Sequence, residues 1–245
     1  MNEALTDAQV RAQIATVENW YHCIEVRPGI VTPGTMGNDV AVVLKHLRLP
    51  DDCQGLRVLD LGTRDGLFAF EIERRGGDVL AVDYMAADLT GFRVASRLLG
   101  SRVPFLHANV YQLRPEDIGT FDIVLALGLL YHLPDPLGAL RIMRKLCRSR
   151  LLVETLVLDQ MPLLPYDWLR SIPLMRFLPG SSFGNDPTNY WAPNIAGMKA
   201  MLRNTEFDAW RVVMMRSRAI FDCDATSDPE TARILAESSG RVVQR

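Results

Sequence analysis

The stretch Val58-Leu59-Asp60-Leu61-Gly62, followed four residues later by Gly66, decides the fold. Its apolar run predicts a short buried strand that ends in a tight turn. A helical pattern of apolar residues starts directly after Gly66. Glycines supply positions without a Cβ atom, where a ligand can approach the backbone. A tight strand-to-helix turn without any ligand is the alternative for a lone glycine pair.

The same alternation of strand and helix patterns continues along the chain. Predicted strands lie near residues 57–61, 78–82, 103–107, 121–127 and 150–154. Because a parallel connection needs a crossover that can hold a helix, this alternation predicts an α/β fold with a doubly wound, mostly parallel sheet. A helix at 194–202 and two closing strands, at 209–215 and 217–221, complete a predicted sheet of seven strands.

The regions outside this core have different patterns. Residues 1–50 are predicted to form an N-terminal helical cap segment, with one helix over about the first twenty residues and a second that ends before Pro50. Residues 51–245 form the predicted main domain, in which a proline-rich stretch at about 156–193 indicates a lid insertion. A further helix is predicted near 229–238.

Composition limits the partners and the compartment. The net charge of −2 and the pI near 6.1 give no general attraction to a phosphate backbone, which argues against a nucleic-acid partner. The four cysteines lack CxxC spacing, so neither a zinc site nor a disulfide framework is indicated. The polar N-terminus, with Glu3 and Asp7, differs from a signal peptide, and no apolar run is long enough to span a membrane. We therefore expect a cytoplasmic protein.

The second predicted strand ends in Asp83, about twenty residues after the glycine turn. An acidic residue at that place can accept hydrogen bonds from both ribose hydroxyls of an adenosine cofactor. This pattern fits both NAD and S-adenosyl-L-methionine (SAM). A carboxylate that only caps the end of the strand is the alternative.

The sequence resembles the class I SAM-dependent methyltransferases from about Leu56 to Val213. The motifs that carry the resemblance are Val58-Leu59-Asp60-Leu61-Gly62 with Gly66, Val82-Asp83, Ala108-Asn109-Val110 and Phe121-Asp122-Ile123-Val124. Two further stretches, Leu127–Leu133 and Trp20–Glu25, are similar to a bacterial group that includes tRNA wobble-uridine carboxymethyltransferases and many small-molecule methyltransferases. Because that group is functionally mixed, the resemblance indicates the type of reaction better than it indicates the substrate.

The resemblance implies SAM as cofactor and S-adenosyl-L-homocysteine (SAH) as product. It places Asp60 and Gly62 at the methionine end of SAM, Asp83 at the ribose, and Asn109 with Val110 at the adenine. The other residues that it assigns to the cofactor are Thr63, Arg64, Gly66, Tyr84 and Leu127. Arg64 replaces the usual middle glycine of the turn, so either the backbone differs locally or the guanidinium reaches an anionic group. An exposed Arg64 side chain is the favoured interpretation.

Methyl transfer from SAM requires few catalytic groups, and histidine is the usual base near neutral pH. His132 follows the fourth strand and is the first candidate for a general base, with a structural helix start as the alternative. Tyr21 and His22 could orient an acceptor, or could simply pack with Trp20. His46 and His107 are assigned to structure.

No metal is expected, because carboxylates do not converge in the predicted site. The acidic residues Asp222, Asp224, Asp228 and Glu230 are close in sequence but belong to the predicted polar tail, where a solvated surface is favoured.

The lid contains many apolar and aromatic residues, which suit a partly apolar acceptor pocket or a homodimer contact. They are Met161, Leu163, Leu164, Tyr166, Trp168, Leu169, Met175, Phe177, Phe183, Tyr190 and Trp191. The predicted function is therefore SAM-dependent methyl transfer to a small molecule, at an oxygen of a hydroxyl or carboxyl group.

Two alternatives stay open. One is carboxymethyl transfer to tRNA from carboxy-SAM, for which Arg64, Arg93 or Lys45 could pair with the extra carboxylate. The other is a non-catalytic SAM-binding scaffold whose apolar lid serves a protein partner.

Overall fold

The computed structural model of this chain describes residues 5–36, 39–160 and 167–226. These residues fall into two units, 1–112 and 113–245. Seven of the strands belong to one mostly parallel sheet, which confirms the predicted α/β fold. The proposed division at residue 50 stays a prediction.

The first helix of the N-terminal unit, α1 (Asp7–Ile14), is shorter than predicted. Thr6 and Gln9 form a reciprocal capping box at its start. Its end is fixed by the indole of Trp20, which donates to the carbonyl of Ile14 at 3.0 Å. The prediction of a helix over about twenty residues was therefore wrong beyond Ile14, because Trp20 turns back onto the last turn of the helix.

A small hairpin that the sequence pattern did not predict follows α1. Strands β1 (Glu25–Arg27) and β2 (Ile30–Val31) pair antiparallel around the Pro28-Gly29 turn. The second predicted helix is confirmed as α2 (Asp39–Leu47).

Three parallel strands of the N-terminal unit carry the glycine turn and Asp83. They are β3 (Arg57–Leu61), β4 (Asp78–Asp83) and β5 (Phe105–His107), in the order β3-β4-β5. Helix α3 (Leu67–Arg74) follows β3, and helix α4 (Phe92–Leu99) follows β4. Val58, Leu59 and Leu61 are buried, since a central strand is covered on both faces.

The C-terminal unit supplies the remaining four strands of the sheet. It begins with the short helix α5 (Pro115–Ile118), and then the parallel strands β6 (Phe121–Leu127) and β7 (Cys147–Leu156) flank helix α6 (Pro136–Leu146). The predicted lid region contains a short hairpin, β8 (Met175–Phe177) and β9 (Trp191–Pro193). The predicted helix before the closing strands is confirmed as α7 (Ile195–Asn204), and Asn194 caps its start.

The closing strands are β10 (Phe207–Met215) and β11 (Arg218–Ala225), which run antiparallel in the order β10-β11-β7-β6. Because β11 extends to Ala225, Asp222 lies inside the sheet and is fully buried. Arg150 and Arg211 pair with its carboxylate, at 2.8 and 3.2 Å. The interpretation of Asp222 as a solvated tail residue was therefore wrong, although Asp224 is exposed.

Several remaining features concern single residues. All four cysteines are free, and Cys53, Cys147 and Cys223 are buried. Burial raises the pKa of Cys147 to about 11. Asp228, Glu230 and the predicted helix near 229–238 lie outside the described residues.

Candidate cofactor and active site

The turn between β3 and α3 has the backbone that its glycines predict. Gly62 and Gly66 adopt φ angles of 75° and 91°, in the left-handed region that favours glycine. A Cβ atom on Gly66 would lie 2.5 Å from the ring of Phe70. The amides of Gly62 and Thr63 donate to the carbonyl of Val82, at 2.9 and 3.1 Å, and thereby join the turn to the end of β4.

Arg64 keeps the turn conformation without being glycine. Its φ angle is 48°, a conformation that costs a non-glycine residue about 1 kcal/mol. The side chain is half-buried, so the expectation of an exposed Arg64 was wrong. Its guanidinium lies 5.8 Å from the centre of the Tyr21 ring, and Nη1 lies 3.5 Å from the sulfur of Met85. These contacts hold the side chain against the protein.

Asp60, at the end of β3, is buried and has an unsatisfied carboxylate oxygen. Its side chain is 2% exposed, and Oδ2 has no hydrogen-bond partner among the described residues. The buried hydroxyl of Thr63 likewise has none. Burial raises the pKa of Asp60 to about 7, and the charge of Asp83 adds to the rise, while the side chain of Thr63 and the backbone of Ala69 oppose it. A buried carboxylate oxygen without a partner is costly unless a ligand supplies one.

Asp83 ends β4 and organises the adjoining loops. Its Oδ2 accepts from the amide of Arg64 at 2.8 Å, and its Oδ1 accepts from the amide of Met85 at 2.9 Å. The carboxylate therefore does cap the strand end, as the alternative had it. Each carboxylate oxygen has a second lone pair, so binding of hydroxyl groups is compatible with this role.

The remaining cofactor candidates of this unit lie after β4 and β5. The Tyr84 side chain is 67% exposed, and its carbonyl is 2.8 Å from Nε2 of His107. Asn109 is exposed, and its side-chain oxygen accepts from the amide of Tyr111 at 3.0 Å. Val110 is buried. The ring of His107 is exposed, and the assignment of this residue to a structural role stays a prediction.

Asp65 is a residue of the turn whose role the sequence reasoning missed. Its carboxylate is fully buried and accepts three backbone N–H groups: those of Tyr21 and His22 at 2.7 and 2.9 Å, and that of Gly91 at 2.8 Å. These bonds attach the segment that carries Tyr21 and His22 to the glycine turn. An acidic residue directly before Gly66 was the only signal in the sequence.

The two aromatic candidates of that segment differ in their surroundings. Tyr21 is half-buried beneath the Arg64 guanidinium. The ring of His22 is buried and packs edge-on against Phe68, with 5.7 Å between the ring centres. Burial lowers the pKa of His22 to about 4, although the charge of Asp65 opposes the shift. His22 is therefore neutral at pH 7, and its packing favours the structural alternative.

The C-terminal unit carries the other candidates, at the end of β6. Leu127 is the last residue of that strand and is half-buried. His132 ends a turn of 3₁₀ helix, Leu130–His132. Its Nδ1 lies 2.9 Å from the hydroxyl of Thr188 and 3.2 Å from the carbonyl of the same residue.

A second polar group of this unit lies near the ends of β6 and β7. The guanidinium of Arg218 contacts both the carboxylate of Glu154 and the hydroxyl of Tyr131. Burial raises the pKa of Glu154, while the charge and hydrogen bond of Arg218 oppose the shift. The sequence reasoning did not single out these three residues.

The described part of the lid exposes several large apolar side chains. Trp168, Met175, Phe177 and Tyr190 are between 36% and 60% exposed. A cavity of about 220 Å³, mostly apolar, lies beside Met175, with Leu137 and Met201 in its walls. Met161, Leu163, Leu164 and Tyr166 lie outside the described residues.

Within residues 5–36, 39–160 and 167–226, no group of three or more His, Cys, Asp or Glu side chains could hold a metal ion. No helix within these ranges is long and apolar enough to cross a membrane.

The sheet and the glycine turn together define a class I methyltransferase fold. The family model described as "Methyltransferase domain" matches residues 39–211, and the chain belongs to this family. The prediction of a class I methyltransferase is thus confirmed for fold and family.

Curated relatives match over a shorter stretch. A ubiquinone biosynthesis O-methyltransferase from Aliivibrio fischeri is 30% identical over 94 residues, which cover 38% of this chain and 40% of the relative. A magnesium-protoporphyrin O-methyltransferase from Rhodobacter capsulatus is 38% identical over 103 residues, or 40% of this chain and 44% of the relative. The chain thus spans only about two fifths of the length of these relatives.

Solved structures share the fold over most of the chain. The N-terminal domain of EvdMO1, solved with SAH and D-fucose, has a TM-score of 0.64 and 18% identity, and the match covers 93% of this chain and 100% of that one. The magnesium protoporphyrin IX methyltransferase of Synechocystis PCC 6803, solved with SAM, has a TM-score of 0.56 and 16% identity over 92% of this chain and 100% of that one. Both neighbours contain the cofactor or its product.

Proposed function

We propose that this protein is a SAM-dependent methyltransferase that acts on a small molecule, at an oxygen of a hydroxyl or carboxyl group. One observation carries the proposal. In the glycine turn, the buried Oδ2 of Asp60 and the hydroxyl of Thr63 have no partner among the described residues, beside a backbone without Cβ at Gly62 and Gly66. A cationic, hydrogen-bonding ligand fits this arrangement, and the α-ammonium group of SAM is one.

Different residues of the N-terminal unit would bind different parts of the cofactor. Asp60, with Gly62 and Thr63, would hold the methionine end. Asp83 would accept hydrogen bonds from the ribose, and Asn109 with Val110 would border the adenine. SAM, when bound, supplies a methyl group activated by the positive charge on sulfur. Roles for Arg64, Tyr84 and Leu127 at the cofactor stay predictions.

Two observations support the acceptor side of the proposal. Both curated relatives described above are named as O-methyltransferases, which supports oxygen as the acceptor atom. The exposed aromatic residues of the lid suit an acceptor with an apolar portion. His132 is proposed as the general base, and Tyr21 is proposed to orient the acceptor.

Binding of SAH measured by calorimetry at pH 7.5 tests the cofactor site. We expect Asp83→Asn to weaken binding at least about tenfold, because hydrogen bonds to a charged group contribute about 1.5–3 kcal/mol. Asp78→Asn is the matched control, since Asp78 begins the same strand and its side chain is 71% exposed. Equal affinities for the two variants, or no binding by the wild-type protein, would overturn the proposed site.

Transfer of labelled methyl groups from SAM tests the activity itself. The acceptor panel consists of phenols and carboxylic acids that carry apolar groups, with matched compounds in which the oxygen is already methylated. Transfer of the label to the free phenols and carboxylic acids, but not to their methylated counterparts, supports the proposal. SAM binding without transfer to any acceptor would favour the non-catalytic scaffold.

Carboxymethyl transfer from carboxy-SAM is a second candidate, and Arg64 favours it. Its Nε is buried and has no hydrogen-bond partner among the described residues, within the turn itself. Tighter binding of carboxy-SAM than of SAM, lost in Arg64→Gly, would support this function, and a steep salt dependence of tRNA binding would extend it to tRNA. A cytoplasmic location and a homodimer stay predictions.

A further inference from the structure

The position of the proton on the His132 ring can be read from its neighbours. Nδ1 is 3.2 Å from the backbone carbonyl oxygen of Thr188 and 2.9 Å from its hydroxyl oxygen. A carbonyl oxygen only accepts hydrogen bonds, so Nδ1 must be the nitrogen that carries hydrogen. The lone pair of the neutral ring is therefore on Nε2.

The hydroxyl of Thr188 is itself oriented by Asp186. It donates to Oδ1 of Asp186 at 2.6 Å, and the amide of Thr188 donates to the same oxygen at 2.8 Å. Because a carboxylate only accepts, the single hydroxyl proton is committed to Asp186. The hydroxyl oxygen is then an acceptor toward His132, and the donors run in one direction, from His132 through Thr188 to Asp186.

The charge of Asp186 is consistent with this direction. Partial burial alone would raise the pKa of Asp186. The hydrogen bonds from Thr188 and the charge of protonated His132 outweigh that effect and lower the pKa below its usual value. The carboxylate is thus ionised at neutral pH, where it stabilises a positive charge on the His132 ring.

We infer that Asp186 and Thr188 are positioning residues, which hold His132 as the Nδ1-protonated tautomer so that Nε2 removes the proton of the acceptor hydroxyl. The inference rests on the proposed function. As the acceptor oxygen bonds to the methyl carbon, its proton passes to Nε2 of His132. The electron pair of the broken carbon–sulfur bond stays on sulfur, and the imidazolium later returns the proton to solvent.

Nitrogen NMR of the ring tests the tautomer without any assay of activity. The chain has four histidines, so the His132 signals can be assigned by comparison with His132→Gln. In the neutral wild-type ring we expect a protonated Nδ1 and an unprotonated Nε2. Thr188→Val removes the hydroxyl acceptor but keeps the backbone carbonyl, so it should raise the population of the Nε2-protonated form only in part. Thr188→Ser, which retains the hydroxyl, should leave the population unchanged. A wild-type ring protonated at Nε2 would overturn the inference.

Kinetics then separate positioning from a purely structural role. We expect Thr188→Val to lower kcat about tenfold with an unchanged KM for SAM, Asp186→Asn to do the same, and Thr188→Ser to recover most of the rate. If Thr188→Val does not fold, the tautomer of the wild-type ring and the kcat of Asp186→Asn still test the inference. Equal kcat values for the Val and Ser variants would overturn the inference. A correct tautomer without methyl transfer to any acceptor would contradict the proposed function instead.

Discussion

The raised pKa of Asp60 makes cofactor binding depend on pH in a definite direction. Burial and the charge of Asp83 raise this pKa to about 7, so the acid is mostly protonated at pH 6 and mostly ionised at pH 7.5. If the α-ammonium group of SAH pairs with the ionised form, binding must remove the proton. Affinity should therefore rise with pH over this window.

The magnitude follows from the fraction of Asp60 that is ionised. With a pKa of about 7, this fraction rises from roughly 0.1 at pH 6 to roughly 0.75 at pH 7.5, which predicts an affinity about eightfold higher at pH 7.5. Binding at pH 6 should also release about 0.9 proton per SAH. In the protein without ligand, the stability of the fold depends on pH with the opposite sign. An acid whose folded pKa is raised stabilises the fold at low pH, and that stability is lost as pH rises from about 4 to about 7.

Calorimetry in two buffers with different ionisation enthalpies measures both quantities. The matched variant is Asp60→Asn, which has nearly the same size but cannot ionise. It should bind SAH more weakly and show little dependence on pH between 6 and 7.5. The reasoning would be refuted by a flat wild-type affinity, or by a variant that retains the wild-type slope. His22 should not contribute, because its pKa of about 4 lies below the window.

Substitutions at three buried positions test the packing around the glycine turn and in the sheet. Gly66→Ala should destabilise the protein by about 1–3 kcal/mol in urea unfolding, because its φ of 91° is strained for alanine and the new Cβ would meet the ring of Phe70; an unchanged midpoint would contradict the turn described. Asp65→Asn should lower stability by about 2 kcal/mol and speed amide exchange at Tyr21, and unaltered exchange would contradict the attachment. Phe221→Ala, in the fully buried centre of β11, should cost about 3–5 kcal/mol, and a loss below about 1 kcal/mol would show that its site is poorly packed.

The strands of the seven-stranded sheet were predictable because their signals are local. Val58, Leu59 and Leu61 form an apolar run next to a glycine, and both the buried strand and the tight turn follow from that run. The same locality explains the correct prediction of helix α7, which begins one residue after its cap, Asn194.

The errors concern contacts between residues that are distant in sequence. The donors to Asp65 lie 26 to 44 residues away in sequence, and no periodic pattern of the sequence predicts them. Asp222 was interpreted as part of the tail because its partner Arg150 is 72 residues earlier. Arg64 was expected in solvent because the sequence does not show that Tyr21 returns beside it. In each case the partner, and not the residue itself, decides the environment.

The fully buried carboxylate of Asp65 also makes the N-terminal segment and the glycine turn one cooperative unit. Separation of residues 20–22 from the turn would leave a buried charge that has lost two of its three donors, so neither part is expected to open alone. Exchange of the Tyr21, His22 and Gly91 amides should therefore report one common opening free energy. A chain shortened to begin at residue 51 would lose the hydrogen bonds from Tyr21 and His22 to Asp65. Without them, the turn would be less well preorganised for a ligand.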